Sequence, residues 1–367
     1  MPSTDLELRH VVVAFRHGDR SPILPKLGKA IDMDAAERDF WGARLATPEQ
    51  IAVLDATAKR AGLRKNEPAP TLAPLIGGAW PNGFLTARGV EQMISKGRDL
   101  RVRYGSFLQT PSVDDVYVRS TNVVRTIQSG QSVLHGMFPE FVKAVGETPD
   151  VEIHLHPTCP LSLGHHMDYH HLSTILKARR HESPVQDIDA LEAQVHALVG
   201  LDEGEDVQWS FLREILVCRV AHDFPFPPGM SLDVVQQSIL HNAWEWHARL
   251  SDKAFLAKAF GRGVHEAFGY LSAATQGASE HKLTILSAHD DTLCGLIYAF
   301  QLHRPGARFL TPEYGSVLTF ELYQSASSGA WFLKANFDGA DVYFQGHDDT
   351  LCPFAHVQAL VQTFPSQ

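Results

Sequence analysis

Val11-Val12-Val13-Ala14-Phe15-Arg16-His17-Gly18-Asp19-Arg20-Ser21-Pro22 is the stretch from which the fold is read. Its apolar half is short, continuous and rich in β-branched residues, the pattern of a strand buried on both faces. It stops abruptly where Gly18 and Pro22 mark a loop. Two arginines and a histidine are therefore crowded just past the carboxyl end of a buried strand.

The same arrangement recurs twice further along. Val116-Tyr117-Val118 predicts a strand that ends in Arg119-Ser120-Thr121-Asn122, and the next helix carries Arg125 in its first turn. Leu283-Thr284-Ile285-Leu286-Ser287 predicts another, ending in Ala288-His289-Asp290-Asp291-Thr292, with a helix over 292–302. Between these, Thr86 opens a clear amphipathic helix with Val90, Met93, Ile94, Gly97, Leu100 and Tyr104 on one face. Thr47-Pro48 predicts a helix over 47–61, because Thr caps well and Pro suits a first position. Residues 151–155 read as a strand, and 316–323 with 331–336 as a hairpin across a Ser/Gly-rich turn.

Between about 156 and 275 strands give way to long polar helical patterns with 9 Lys+Arg against 15 Asp+Glu, a net of −6. This texture predicts an α-helical insertion. The expected division is an α/β core from residues 1–25, 85–155 and 276–367, and a mainly helical cap from 26–84 and 156–275.

Composition narrows the function. With 367 residues, 44% hydrophobic and 20% charged, the chain is globular and long enough for two domains. A net charge of −10 argues against a nucleic-acid or anionic-membrane binder. No run of 18 apolar residues is present, so no membrane span is expected. The N-terminus has neither the basic region nor the apolar stretch of a signal peptide, which places the protein in the cytoplasm or an organelle unless a targeting segment has been removed. Cys159, Cys218, Cys294 and Cys352 form no CxxC pair and are expected to be reduced, buried thiols.

In open α/β sheets, ligands bind outside the carboxyl ends of the strands. If the three cationic strand ends are neighbours, they form one pocket with several arginines, two histidines and a carboxylate. Planar guanidinium forks suit tetrahedral oxyanions, and helix N-termini at the same place add free N–H groups. A phosphate is the ligand that this geometry fits.

Arg16-His17-Gly18-x-Arg20-x-Pro22 is the RHGxRxP signature, and the chain resembles the histidine acid phosphatase family, the second branch of the histidine phosphatase superfamily. Leu85-Thr86-x-x-Gly89 with Gly97 and Arg101-Val102-Arg103-Tyr104-Gly105, Arg119-Ser120-Thr121 with Arg125-Thr126, and His289-Asp290 with Thr292-Leu293 resemble further family motifs. Within the family the likeness is to the lysophosphatidic acid phosphatase branch, through Asn122, Glu321-Leu322-Tyr323-Gln324 and Leu351-Cys352-Pro353.

The resemblance implies a phosphoglycerate mutase-like α/β fold, a mixed, mostly parallel sheet flanked by helices, with an inserted α-helical cap domain. It implies a phosphate monoester hydrolase working through a phosphohistidine. His17 would be the nucleophile and Asp290 the general acid and base. Arg16, Arg20, Arg125 and His289 would bind the phosphate. No metal or other cofactor is implied, since arginines supply the positive charge. A small-molecule phosphate monoester is the expected partner, and lysophosphatidate-like monophosphates lead because the acidic cap disfavours phytate. The alternatives are a broad-specificity or phytase-like acid phosphatase, or a mutase that passes the phosphoryl group to a second substrate oxygen.

Two positions depart from the family pattern. Asp291 follows Asp290 where a neutral residue is commoner, so either acid could reach the leaving group, and the place directly after the histidine favours Asp290. Val124 stands where an acidic residue is frequent, which alters the support of Arg125. Arg119 has two readings, a structural ion pair or a substrate contact, and Asp19 is expected to partner an arginine or to be solvated. In His165-His166-Met167-Asp168-Tyr169-His170-His171, His166 and His170 have i,i+4 spacing without the glutamate of HExxH, so they read as surface or rim histidines.

Overall fold

The computed structural model describes residues 5–63, 67–68, 74–155, 161, 163 and 169–364. The strands in chain order are β1 (Leu6–Arg16), β2 (Lys26–Leu27), β3 (Ile31–Asp32), β4 (Lys59–Ala61), β5 (Val116–Ser120), β6 (Glu152–Leu155), β7 (Leu283–Ala288), β8 (Leu302–His303), β9 (Val317–Ser325), β10 (Trp331–Phe337), β11 (Ala340–Phe344) and β12 (Leu351–Pro353). The helices are α1 (Ala35–Gly42), α2 (Pro48–Asp55), α3 (Ala87–Leu108), α4 (Val124–Met137), α5 (Tyr169–Arg179), α6 (Ile188–Val199), α7 (Trp209–Ala221), α8 (Leu232–Leu250), α9 (Lys253–Thr275), α10 (Asp290–Ala299) and α11 (Phe354–Val361).

One mixed sheet runs in the order β4-β6-β5-β7-β1-β9-β10-β11-β8, with β12 on β10. It is parallel from β4 to β1 and antiparallel beyond. β1 lies near the centre, and Val11 to Phe15 are fully buried. Its side chains alternate between the two layers. Val11, Val13 and Phe15 join Met93 and Leu100 of α3 and Ile127 and Val133 of α4. Val12 and Ala14 face Phe260 and Val264 of α9 and Leu293 and Ile297 of α10. Burying each such side chain contributes about 1.5–3 kcal/mol, so the strand is pinned from both faces.

Helices α6 to α8 have a core of their own, whereas Leu172 and Ile175 of α5 join the sheet-side core. Val195 and Val199 of α6, Leu212, Ile215 and Leu216 of α7 and Val234 and Val235 of α8 form one cluster, joined by Ile31. Trp41 of α1 packs instead with Met33 and Cys218, and Glu37 pairs with Arg219 of α7 at 3.0 Å with both side chains buried. α9 lies within the 156–275 stretch yet packs on the sheet, and β4, from the 26–84 segment, pairs with β6 at the sheet edge.

Two element boundaries differ from the sequence reading. The helix expected over 47–61 ends at Asp55, and Lys59–Ala61 extends as β4, where the edge of the sheet offers backbone partners. The helix expected over 292–302 begins at Asp290 and ends at Ala299. Its free first-turn amides are met by neighbouring carboxylates: Asp290 accepts from the Asp291 N–H at 3.1 Å and Asp291 from the Thr292 N–H at 2.7 Å. Cys218, Cys294 and Cys352 are free and buried, whereas Cys159 and His165, His166 and Asp168 lie outside the described residues. No helix among the described residues is long and apolar enough to cross a membrane.

Candidate active site

Strands β5, β7 and β1 are adjacent and parallel, so their carboxyl ends lie side by side: Arg16 is level with Ala288, and Ser120 with Ser287. The three cationic strand ends of the sequence are thereby neighbours. The His17 N–H donates to the Ala288 carbonyl at 2.9 Å, and the His17 and His289 rings stand 5.5 Å apart, nearly perpendicular at 77°.

The loop after β1 is held against the start of α3 by close backbone contact. Thr86 caps α3 by accepting from the Gly89 N–H, and its hydroxyl donates to Asp19 at 2.5 Å. A Cβ on Gly89 would stand 2.1 Å from the Asp19 carbonyl oxygen, so only glycine fits there. The Gly18 N–H donates to the Ser129 hydroxyl of α4 at 3.0 Å. Two motifs far apart in sequence thus interlock: the LTxxG helix start is the bed of the His17 loop.

His17 is 2% exposed, and its Nδ1 lies 2.8 Å from the Gly18 carbonyl. A carbonyl only accepts, so Nδ1 carries the proton and Nε2 keeps its lone pair. Burial, then the charges of Arg125, Arg20 and Arg16, hold the imidazole well below its usual pKa. The ring is therefore a neutral imidazole with a lone pair on Nε2.

His289 is fixed through hydroxyls. Thr126 Oγ1 donates to the carbonyls of Thr121 or Val123 and lies 2.7 Å from Thr121 Oγ1. The Thr121 proton therefore points to Thr126, and Thr121 Oγ1 accepts from His289 Nε2 at 3.0 Å. Burial and the Arg125 charge push His289 down to about 3.

Three guanidiniums surround the two rings. Arg16 is 1% exposed, donates to the Pro312 carbonyl at 3.0 Å and pairs with Asp290 at 3.1 Å. Arg20 donates to Glu214 of α7 at 2.5 Å. Arg125, in the first turn of α4, has no carboxylate partner among the described residues and touches only the Ile76 carbonyl, at 3.4 Å. Burial and the like charge of Arg20 bring it down to about 9. The Nε atoms of Arg16, Arg20 and Arg125 are all buried without a protein acceptor among the described residues. The cluster has more positive charge than the protein balances, and it fits a dianion.

Asp290 and Asp291 diverge. Asp290 Oδ2 forms an ion pair with Arg16 and accepts, at 2.9 Å, from Arg213 of α7. Burial would raise its pKa, but Arg16 and Arg213 outweigh it and hold the carboxyl below the ordinary carboxylate range. Asp291 instead accepts from the backbone N–H groups of Thr292 and, at 3.0 Å, Leu163. All six residues singled out from the sequence, Arg16, His17, Arg20, Arg125, His289 and Asp290, come together.

Other residues differ from expectation or were missed. Arg119 pairs with Glu266 of α9 at 2.6 Å, the structural alternative of its two readings. Asp19 meets Thr86 and the His222 ring, the latter at 2.6 Å, and no arginine among the described residues. Arg213, Glu214, Thr121 and Tyr314 were not anticipated as site residues. Tyr314 lies under the Arg16 guanidinium, 4.2 Å from its ring centre, and 5.7 Å from the His17 ring. The adjacent opposite charges of Arg213 and Glu214 in the apolar run of α7 were a readable signal, whereas Tyr314 sits in a loop that gave none.

The family model described as histidine phosphatase superfamily (branch 2) matches residues 7–186. The chain is 24% identical over 370 residues to counting factor 60 of Dictyostelium discoideum, spanning 95% of this chain and 84% of that protein. It is 27% identical over 371 residues to lysophosphatidic acid phosphatase type 6 of Bos taurus, spanning 95% and 81%. The apo phytase of Hafnia alvei superposes with a TM-score of 0.63 at 16% identity, over 100% of this chain and 98% of that one, a likeness of fold. With the RHGxRxP loop, the HD strand end and the α/β sheet with its helical insertion all in place, the chain belongs to the histidine phosphatase superfamily, branch 2.

Proposed function

We propose that this phosphate monoester hydrolase works through a phosphohistidine on His17, with Asp290 as acid and then base, on monophosphates carried by an apolar or sugar-like body. The observation that carries this reading is the neutral His17 imidazole, Nδ1 bonded to Gly18 and Nε2 unprotonated, set among three guanidiniums of which Arg125 lacks a carboxylate.

His17 Nε2 attacks phosphorus, the ester P–O bond breaks, and its electron pair goes to the leaving oxygen, which takes the Asp290 proton. Arg16, Arg20 and Arg125 hold the equatorial oxygens and spread their charge. His289, its Nε2–H committed to Thr121, takes up a proton on Nδ1 beside the dianion and donates to it. Water then gives a proton to Asp290 and attacks phosphorus, and the P–N electron pair returns to His17. Asp290 is ionised when held by Arg16 and Arg213; bound phosphate draws Arg16 to itself and brings negative charge, which raises the carboxyl into its acid form.

α5 to α8, with Ile31, Met33 and Trp41 packed against α7, serve as the cap that frames the leaving group. Its acidic balance disfavours substrates with many phosphates, and the relative named lysophosphatidic acid phosphatase type 6 supports a lysophosphatidate-like substrate. The test is phosphate release from lysophosphatidate, phytate, sugar phosphates and aryl phosphates with EDTA present, together with trapping of an acid-labile, base-stable phosphoenzyme. Turnover without such an intermediate on His17 overturns the mechanism, and preference for phytate overturns the substrate class.

A further inference from the structure

We propose that Arg213 is a positioning residue: carried by the helical insertion, it orients the Asp290 carboxyl and sets the pH range in which that carboxyl can act as an acid. The proposal rests on the role of Asp290 given above.

Asp290 Oδ2 is bracketed by two guanidiniums, Arg213 Nη1 at 2.9 Å and Arg16 Nη2 at 3.1 Å. The same two guanidiniums share a second acceptor, the Pro312 carbonyl, at 3.4 Å and 3.0 Å. A carbonyl and a carboxylate oxygen thus fix both forks in one frame. The Asp290 side chain is 27% exposed, against 7% for Arg213 and 2% for Arg16, so the carboxyl stands at the outer edge of the cation cluster, where a leaving group departs.

The two arginines differ in what else they serve. The charges acting on His17 are those of Arg125, Arg20 and Arg16, so Arg16 is shared between the acid and the phosphate. Arg213 answers to Asp290 and, more weakly, to Glu313 and Tyr314. When phosphate recruits Arg16, Arg213 remains as the cation that keeps Asp290 aimed and its proton labile. The charged and titratable groups facing Asp290 are Arg16 on β1, Arg20 in the loop, Arg125 on α4, Arg213 on α7, and His289 and Cys294 beside it. Of these, Arg213 alone comes from the insertion, and the next residue, Glu214, reaches Arg20. One turn of α7 therefore touches the acid and the phosphate clamp together.

The experiment is kcat against pH from 4 to 9 with glycerol phosphate, a poor leaving group, for wild type, Arg213→Gln, Arg213→Lys and Asp290→Asn, each with a thermal melt. In Arg213→Gln the basic limb moves to higher pH by about 1 to 3 pH units, as removal of an adjacent cation dictates, and Arg213→Lys restores it most of the way. Arg213→Met, which keeps the stem packed, replaces the Gln variant if that one fails to melt cooperatively. A uniform fall in kcat with an unmoved profile means a merely structural role, and a rise in KM alone means direct substrate binding; either overturns the proposal. An Asp290→Asn enzyme that keeps its kcat on glycerol phosphate overturns the reading of Asp290 along with it, whereas loss in Asp290→Asn with an unmoved Arg213→Gln profile overturns this proposal alone.

Discussion

Asp290 Oδ2 lies 3.1 Å from Nη2 of Arg16, a residue at the tip of β1 that also lies beside the His17 imidazole. Asp290 and the guanidinium cluster around His17 are therefore coupled through one ion pair. Arg16 can release Asp290 only by finding another anion, and a bound phosphate is that anion. In the mechanism proposed above, this coupling would give Asp290 its proton when phosphate binds.

Asp290→Asn is expected to lower kcat on alkyl phosphates by about 10²- to 10⁴-fold, the range of general acid catalysis. Phosphorylation of the enzyme by an activated aryl phosphate, read in a single turnover, should be little changed, since its leaving group needs little protonation. Asp291→Asn should instead lose stability, because Asp291 is bonded to the Thr292 and Leu163 amides. The selective loss appearing in Asp291→Asn would reverse the assignment.

His17→Ala should remove at least about 10³-fold of kcat and all phosphoenzyme. Since burial and three arginines hold His17 well below its usual pKa, the nucleophile stays neutral in mild acid. Rapid-quench phosphorylation rates should not decline between pH 7 and 5, and a decline following an ordinary histidine titration would contradict the buried, neutral ring.

Glu214 Oε1 accepts from Arg20 at 2.5 Å and from the Ile23 N–H at 2.6 Å. Both side chains of the ion pair are nearly buried, so Glu214→Ala leaves an uncompensated cation and should cost about 3–5 kcal/mol in denaturant unfolding. Inorganic phosphate, a replacement anion for Arg20, should recover part of that loss; equal stabilisation of wild type and variant by phosphate would show that Arg20 does not bind it.

Gly89→Ala places a methyl group 2.1 Å from the Asp19 carbonyl, and the His17 loop must shift. Overpacking of this kind costs about 1–3 kcal/mol, and the displaced nucleophile should lower kcat disproportionately. Thermal melts and phosphate-release rates on the same preparation separate the two effects, and full activity at reduced stability would show the loop to be more compliant than its contacts imply.

Acid should destabilise the ligand-free protein. His289 is held down to about 3, His10 and His241 to about 4, and His17 well below 6.5, each chiefly by burial. Unfolded, these imidazoles bind protons near pH 6.5, so the unfolded state gains protons first and stability falls as pH drops from 6.5 towards 4. Each group contributes about 1.4 kcal/mol per pH unit across that window. Asp290, held low by its arginines, keeps its contribution throughout it and loses it only below the ordinary carboxylate range. Urea unfolding at pH 7, 6 and 5 reads the slope, which should be shallower in His10→Gln; a flat profile would mean that these rings titrate freely.

The α/β core was legible in the chain because its signals are local. An uninterrupted apolar run such as Val11–Phe15 has few ways to satisfy its backbone except in a buried strand, and the period of α3 put Val90, Met93 and Tyr104 on the inner face where they are found. RHGxRxP and HD fixed the chemistry because so few residue sets can do it. What the chain did not contain is which distant groups share a carboxylate. That Arg213 faces Asp290, that Arg119 is taken by Glu266, and that Asp19 meets Thr86 and His222 depend on how α7, α9 and α3 dock on the sheet. Ion pairs across long sequence separations carry no periodicity; they follow from packing of apolar faces, and only the assembled layers decide which charge stands beside which.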